Sequence, residues 1–129
     1  MAAYVKSQGK RLPGGIAGEA LAIGEIVFMA SDGQWELADA DAAGEKSAQG
    51  VVTRAASAAA ADVEVCDSAV IGGLTGLTVG APIYLSDTPG VPTETAPASA
   101  FDAIHAIGYN LSATVQCIKI APQAYLRPS

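Results

Sequence analysis

The chain has 129 residues, a formal net charge of −6 and a charged fraction of 16%, a length that fits one domain with a core needing no metal or disulfide staple. An acidic balance argues against a phosphate-binding surface, which needs clustered Lys and Arg, and no apolar run approaches the roughly 20 residues of a membrane-spanning helix. Half of the residues are apolar but only 5% are aromatic, so Ala, Val, Ile and Leu must build the core, and so sparsely charged a surface suits a chain packed against neighbours.

Residues 1–20 read MAAYVKSQGKRLPGGIAGEA. Pro13, Gly14, Gly15 and Gly18 interrupt regular structure, so the segment is expected to be an extended N-terminal arm, with a disordered tail as the alternative. It has no apolar core of a signal peptide, which points to folding in the cytoplasm. Lys6, Lys10 and Arg11 precede the first acid, Glu19, and face an otherwise acidic chain. Tyr4, Val5 and Leu12 offer apolar anchors. Ordering the backbone costs about 1–2 kcal/mol per residue, so the arm is expected to order only against a partner. On that expectation, its deletion would leave thermal unfolding of the β-domain unchanged.

Residues 21–120 are expected to form a single β-domain. Glu25–Ala30 (EIVFMA) and Gln34–Ala38 (QWELA) flank the turn Ser31-Asp32-Gly33, which reads as a hairpin. Trp35 follows that turn and reads equally as an interface anchor or as core. Asp39–Ser47 is a polar loop and Gly50–Arg54 a short strand. Ala55–Ala61 could form half a helix by propensity, marginal alone. Asp62–Ile71 alternates as one half-buried strand. Ala98–Ile104 offers a short turn at most, and residues 121–129 form a tail whose Tyr125-Leu126 packs on the body or on a neighbouring subunit.

The second half repeats the first. Leu21-x-Ile23-Gly24-x-x-Val27-Phe28-Met29 matches Leu77-x-Val79-Gly80-x-x-Ile83-Tyr84-Leu85 at an offset of 56. Ala48-x-Gly50-Val51-Val52 matches Ala106-x-Gly108-Tyr109-Asn110 at an offset of 58. Val63-Glu64-Val65-Cys66 resembles Val115-Gln116-Cys117-Ile118. Residues 21–71 and 77–120 therefore read as an internal duplication, predicting an all-β compact sandwich or small barrel with little helix.

Chemistry-bearing motifs are weak. His105, the one histidine, sits on an expected strand with no nucleophile elbow to serve. Asp39-x-Asp41-x-x-Gly44 lacks the fifth and twelfth ligands of a calcium loop, and Gly44-Glu45-Lys46-Ser47 breaks the phosphate-loop pattern. Glu36, Asp39 and Asp41, like Glu64 and Asp67, read as solvated carboxylates. Cys66 and Cys117 read as buried, inert thiols, with a disulfide or a metal set as alternatives. No catalytic, cofactor-binding or metal site is expected.

Leu77-x-x-Gly80-x-x-Ile83-Tyr84-Leu85, the Thr-rich return Pro92-Thr93-Glu94-Thr95-Ala96-Pro97, and Ile107-Gly108-Tyr109-x-Leu111-Ser112-Ala113-Thr114 before a last aliphatic strand together resemble the head decoration (capsid cement) proteins of tailed bacteriophages. Leu21-x-x-Gly24-Glu25-x-Val27 adds to the likeness, which spans about Gly18 to Ile120. The resemblance implies a virion structural protein, made in the host cytoplasm, that sits on the outer capsid surface. It implies the major capsid protein as partner, self-assembly as a homotrimer, and an N-terminal arm touching the coat. Tyr4, Val5, Lys6, Lys10, Arg11, Leu12 and Trp35 are the expected partner-binding residues. Neither nucleic acid nor membrane is expected as a direct partner, and no cofactor. The alternatives are a tail or receptor-binding β-module and a small β-clip enzyme.

Overall fold

The computed structural model describes residues 3–38, 48–86, 88, 90–95, 103–104, 106–120 and 125–126. None of them is helical. The strands are β1 (Tyr4–Gln8), β2 (Ile26–Met29), β3 (Trp35–Leu37), β4 (Gly50–Arg54), β5 (Glu64–Cys66), β6 (Ser68–Gly72), β7 (Pro82–Leu85), β8 (Pro92–Thr93), β9 (Ala103–Ile104), β10 (Ala106–Asn110), β11 (Gln116–Lys119) and β12 (Tyr125–Leu126). They form a six-stranded sheet ordered β1-β6-β11-β10-β7-β8, a four-stranded sheet ordered β3-β2-β4-β5, and the pair β12-β9. The fold is all-β and the strands within each sheet are antiparallel, as the pattern of short β-branched runs between turn residues predicts.

One core lies between the two large sheets. Ile26 and Val51 come from the four-stranded sheet, and Ala69, Ile71, Ile83, Leu85, Ile107 and Ile118 from the six-stranded one. A second core covers the opposite face of the four-stranded sheet, where Val27, Trp35, Val52 and Val65 pack with Ala17, Leu21, Ala56 and Val63. Burying an aliphatic side chain of this size stabilises by about 1.5–3 kcal/mol relative to exposure, so neither sheet face of the smaller sheet is dispensable.

The N-terminal segment supplies that second layer, which corrects the expectation of an arm held off its own domain. Tyr4–Gln8 pairs with β6. The chain then runs along the edge of β5, where the Leu12 amide donates to the Val65 carbonyl at 2.8 Å. It reaches the edge of β3, where the Trp35 amide donates to Ile16 O at 2.9 Å and the Gly18 amide to Trp35 O at 2.8 Å. Each bond satisfies a backbone group that an open edge would leave to solvent. Non-local pairing and the burial of Leu12 and Ala17 offset the ordering cost that the glycines impose.

Two further expectations change. Asp62–Ile71 is two strands rather than one: β5 belongs to the four-stranded sheet and β6 to the six-stranded sheet. The switch falls at Asp67, whose carboxylate accepts from the Lys10 amide at 2.9 Å and the Ser68 hydroxyl at 3.2 Å. Ala55–Ala61 has no helical turn. It is a loop in which Ala56 bridges Leu21 and Ala60 takes a positive φ of 69°. The hairpin at Ser31-Asp32-Gly33 is present, with the Gln34 amide on Asp32 Oδ1 at 3.0 Å.

The four-stranded sheet and part of the six-stranded sheet share their internal order, β3-β2-β4-β5 against β8-β7-β10-β11. Register agrees as well. Val27 faces Gly50 and Ile83 faces Gly108. The Gly24 amide donates to Val52 O and the Gly80 amide to Asn110 O, both at 2.9 Å. Gly24 and Gly80 have φ of 89° and 78°, a left-handed turn that only glycine adopts cheaply. The last sequence match shifts by one residue: Val51 faces Cys66 and Tyr109 faces Cys117, so Cys66 corresponds to Cys117 rather than to Ile118.

Candidate functional site

The residues expected to meet a partner separate into two groups. Trp35 is 3% exposed in the second core, which corrects its reading as a contact residue. Leu12 packs against the same core and Val5 against the inter-sheet core. Arg11 Nε lies 4.0 Å from Glu64 Oε2, and the Lys10 backbone is bonded to Asp67 in both directions. These contacts are all within the chain. Tyr4 and Lys6 remain exposed on the edge strand β1. The Tyr4 ring lies over Gly72, where an added Cβ would come 2.7 Å from Tyr4 Cζ, and Lys6 Nζ sits 6.0 Å from the ring centroid.

Glu64 links this segment to the body. Its carboxylate accepts from the Thr53 hydroxyl at 2.8 Å and from the Gln8 amide at 3.0 Å. The Thr53 bond foremost, then Gln8 and the charges of Arg11 and Arg54, hold its pKa below the ordinary carboxylate value. Glu94 is also held low, by the Thr78 amide first and then by Asn110. It accepts from Thr78 N at 2.8 Å and from Asn110 Nδ2 at 2.7 Å. Both carboxylates are held by hydrogen bonds that fix neighbouring loops. Cys66 is a buried free thiol and Cys117 a half-buried one, with no disulfide between them. No cluster of three metal-ligating side chains occurs among the described residues. His105, Asp39, Asp41 and Gly44–Ser47 lie outside the described residues, as do the side chains of Tyr125 and Leu126.

The outer face of the six-stranded sheet carries a row of uncharged side chains. Ser7, Val70, Cys117, Tyr109 and Pro82 stand opposite one another on successive strands. Paired residues of an antiparallel sheet share a face, so these five form one row. Tyr109 reaches that face because the register slips between Ala106 and Gly108. The bulge lets Ile107 enter the core and resets the alternation one residue later. Tyr109 is 50% exposed, and the adjoining Cys117 thiol holds its phenol above the usual pKa. Beside it lies a shallow groove of about 280 Å³ bordered by Gln8, Val70, Tyr109, Cys117 and Lys119. Sequence reasoning gave Tyr109 no partner-binding role and read Cys117 as a buried thiol, which its half-buried position on this face corrects. The available signal was the absence of Asp, Glu, Lys and Arg from Ser68 to Ser86 and from Ala103 to Ile118.

No protein-family model matches the chain, and no curated protein sequence matches it.

Proposed function

We propose that this chain is a structural, non-enzymatic virion protein that decorates the outside of a mature tailed-bacteriophage head and bridges major capsid protein subunits. The observation that carries the reading is the row Ser7, Val70, Cys117, Tyr109 and Pro82: a half-exposed line of uncharged side chains across the outer sheet face of a small all-β domain. A face of this kind gains by covering apolar area, whereas an enzyme needs a cleft with converging polar groups. The sequence likeness to head decoration proteins supports the same reading.

The mechanism is mass action. A protein that binds the expanded shell and not its precursor stabilises the expanded state by its binding free energy, and many copies sum. The edge strand β1 is short, carries Lys6 and breaks register between Val5 and Ser7, the features by which edges resist strand addition. Contact through the sheet face is therefore favoured over β-augmentation by the N-terminal segment. Purified protein mixed with expanded, DNA-filled shells and with unexpanded precursor shells tests the proposal by co-sedimentation. Binding to the expanded shells alone is expected. Failure to bind expanded shells rejects it.

A further inference from the structure

We propose that the outer face of the six-stranded sheet docks an acidic protein segment, with an apolar side chain of that segment in the groove beside Tyr109 and its carboxylates on the lysines around it. The described Lys and Arg side chains are Lys6, Lys10, Arg11, Arg54 and Lys119, and all five are exposed. They gather in one place. Four of them meet the stretch Glu64–Ser68, where the chain switches sheets. The Lys10 amide donates to Asp67 Oδ1 at 2.9 Å, Arg11 bridges Cys66, Arg54 stands opposite Glu64 and Lys119 opposite Ser68. Lys6 lies on the adjoining strand β1, its Nζ 6.0 Å from the Tyr4 ring centroid. Two carboxylates share this region, and both already have partners in the chain: Glu64 holds Thr53, Gln8 and Arg11, and Asp67 holds Lys10 and Ser68. The next acid along the chain, Asp62, bridges Ile16 in the segment that roofs the four-stranded sheet. Five cations against two carboxylates make a basic corner on a chain whose formal net charge is −6.

The groove adjoins that corner. Val70, Cys117 and Tyr109 line it, and Ser7, Gly9 and Lys119 border it; Lys6 precedes Ser7 and Lys10 follows Gly9. At about 280 Å³ it is smaller than the roughly 300–1,000 Å³ pockets that enclose small ligands, so a single side chain projecting from a larger surface suits it better. Ammonium groups around an apolar centre match carboxylates around an apolar side chain. Nucleic acid is a poorer match. A polyanion running past this corner meets the acidic remainder of the chain, whereas a short acidic segment ends within it. Strand β1 breaks register between Val5 and Ser7, so the segment lies across the face rather than extending the sheet. Exposed ion pairs set the rate and orientation of encounter more than the affinity, which leaves the hold itself to covered apolar area. The inference rests on the decoration reading in taking the coat as the source of the segment, but its test needs no shells.

Amide NMR spectra of the isotope-labelled full chain, titrated with the end-capped peptide Glu-Asp-Phe-Asp-Glu and with its neutral counterpart Gln-Asn-Phe-Asn-Gln, read the site directly. The acidic peptide should shift the amides of Ser7, Gly9, Val70, Cys117 and Lys119. It should bind about fivefold more tightly than the neutral one, the scale of two or three exposed ion pairs. Raising salt from about 50 mM to about 500 mM should remove most of that difference. Lys10→Glu combined with Lys119→Glu should weaken binding of the acidic peptide at least about fivefold, and Lys119→Gln alone should act in the same direction. Both side chains are exposed, and the unshifted remainder of each spectrum checks that the fold is kept. Equal affinity for the two peptides, shifts confined to other residues, or a folded double variant that binds the acidic peptide like the parent would each overturn the proposal. So would tighter binding of a single-stranded oligonucleotide of about ten nucleotides at the same amides, which would assign the corner to nucleic acid. Peptide binding by a protein that ignores expanded shells would keep this site and reject the decoration reading. Shell binding without a peptide response would do the reverse.

Discussion

Glu64 gathers the Thr53 hydroxyl, the Gln8 amide and the Arg11 guanidinium around one carboxylate, so it joins the N-terminal segment to the four-stranded sheet. Its folded-state pKa lies below the ordinary 4.5. A carboxylate held low contributes its stability fully above the unfolded-state value and loses it as pH falls through the folded-state value. Thermal stability should therefore drop as pH is lowered below about 4.5. Glu64→Gln should lower stability at neutral pH by about 1 kcal/mol, the scale of one hydrogen bond, and flatten part of the acid slope. An unchanged slope in calorimetry across that range would show that Glu64 is not its source. Gly108 faces a harder limit. A Cβ there would stand 1.9 Å from the Cys117 carbonyl oxygen, a backbone atom that cannot move without breaking the β10–β11 pairing. Gly108→Ala should cost roughly 3 kcal/mol or more, seen as a large fall in the denaturation midpoint. Trp35 is buried with its indole Nε1 unpartnered. Truncating so large a buried side chain to Ala should cost about 3–5 kcal/mol, a stability effect rather than a selective loss of partner binding.

At the scale of elements, the N-terminal segment changes the outcome of its own deletion. Residues 4–17 provide β1, the bonded edge along β5 and β3, and the apolar cover of Leu12 and Ala17. Removing residues 2–15 should lower the unfolding midpoint strongly, equivalent to at least about 3 kcal/mol from lost apolar burial and backbone bonding. Equal midpoints for the truncated and full chains would restore the picture of a free arm. The sequence pattern disclosed the hairpins because their determinants are local: Asp32 bonds the amide two residues on, and Gly33 takes the positive φ the turn needs. It did not disclose the placement of the segment. The partner of Tyr4 is Gly72, and backbone pairing at that separation leaves no signature in side-chain spacing. The switch at Asp67 was hidden for a related reason. Val63, Val65, Ala69 and Ile71 are all buried, so a run that serves two sheets has the hydrophobic content of a single strand. The candidate surface was least legible. Tyr109 faces outward only because of a register slip that its alternating neighbours do not predict.

Across the whole molecule, the shared strand order and the paired bonds of Gly24 and Gly80 favour reading the two halves as a duplicated unit. Superposing residues 21–71 on 77–120 in an experimental structure should then align β2, β3, β4 and β5 with β7, β8, β10 and β11. The halves nonetheless face different surroundings. The outer face of the four-stranded sheet is roofed by the N-terminal segment, whereas the outer face of the six-stranded sheet carries Tyr109 and Cys117 with no such cover among the described residues. Matched positions pack on opposite sides: Val51 lies in the core between the sheets, while its counterpart Tyr109 faces outward. One outer face is closed by the chain itself and the other is left for something else. In the decoration reading that something is the coat. Its hold on the shell should then depend on apolar contact rather than on charge pairing. Tyr109→Asp puts a charge at the centre of the exposed row, at a half-exposed position that the fold does not need. It should weaken attachment to expanded shells at least about tenfold, which is about 1.4 kcal/mol, while leaving the unfolding midpoint within a few degrees. Attachment of the parent protein should change little between low and high salt, since screening acts on exposed charges and not on covered apolar area. Undiminished attachment of Tyr109→Asp, or attachment abolished by salt, would place the contact on a different, charged surface of the molecule.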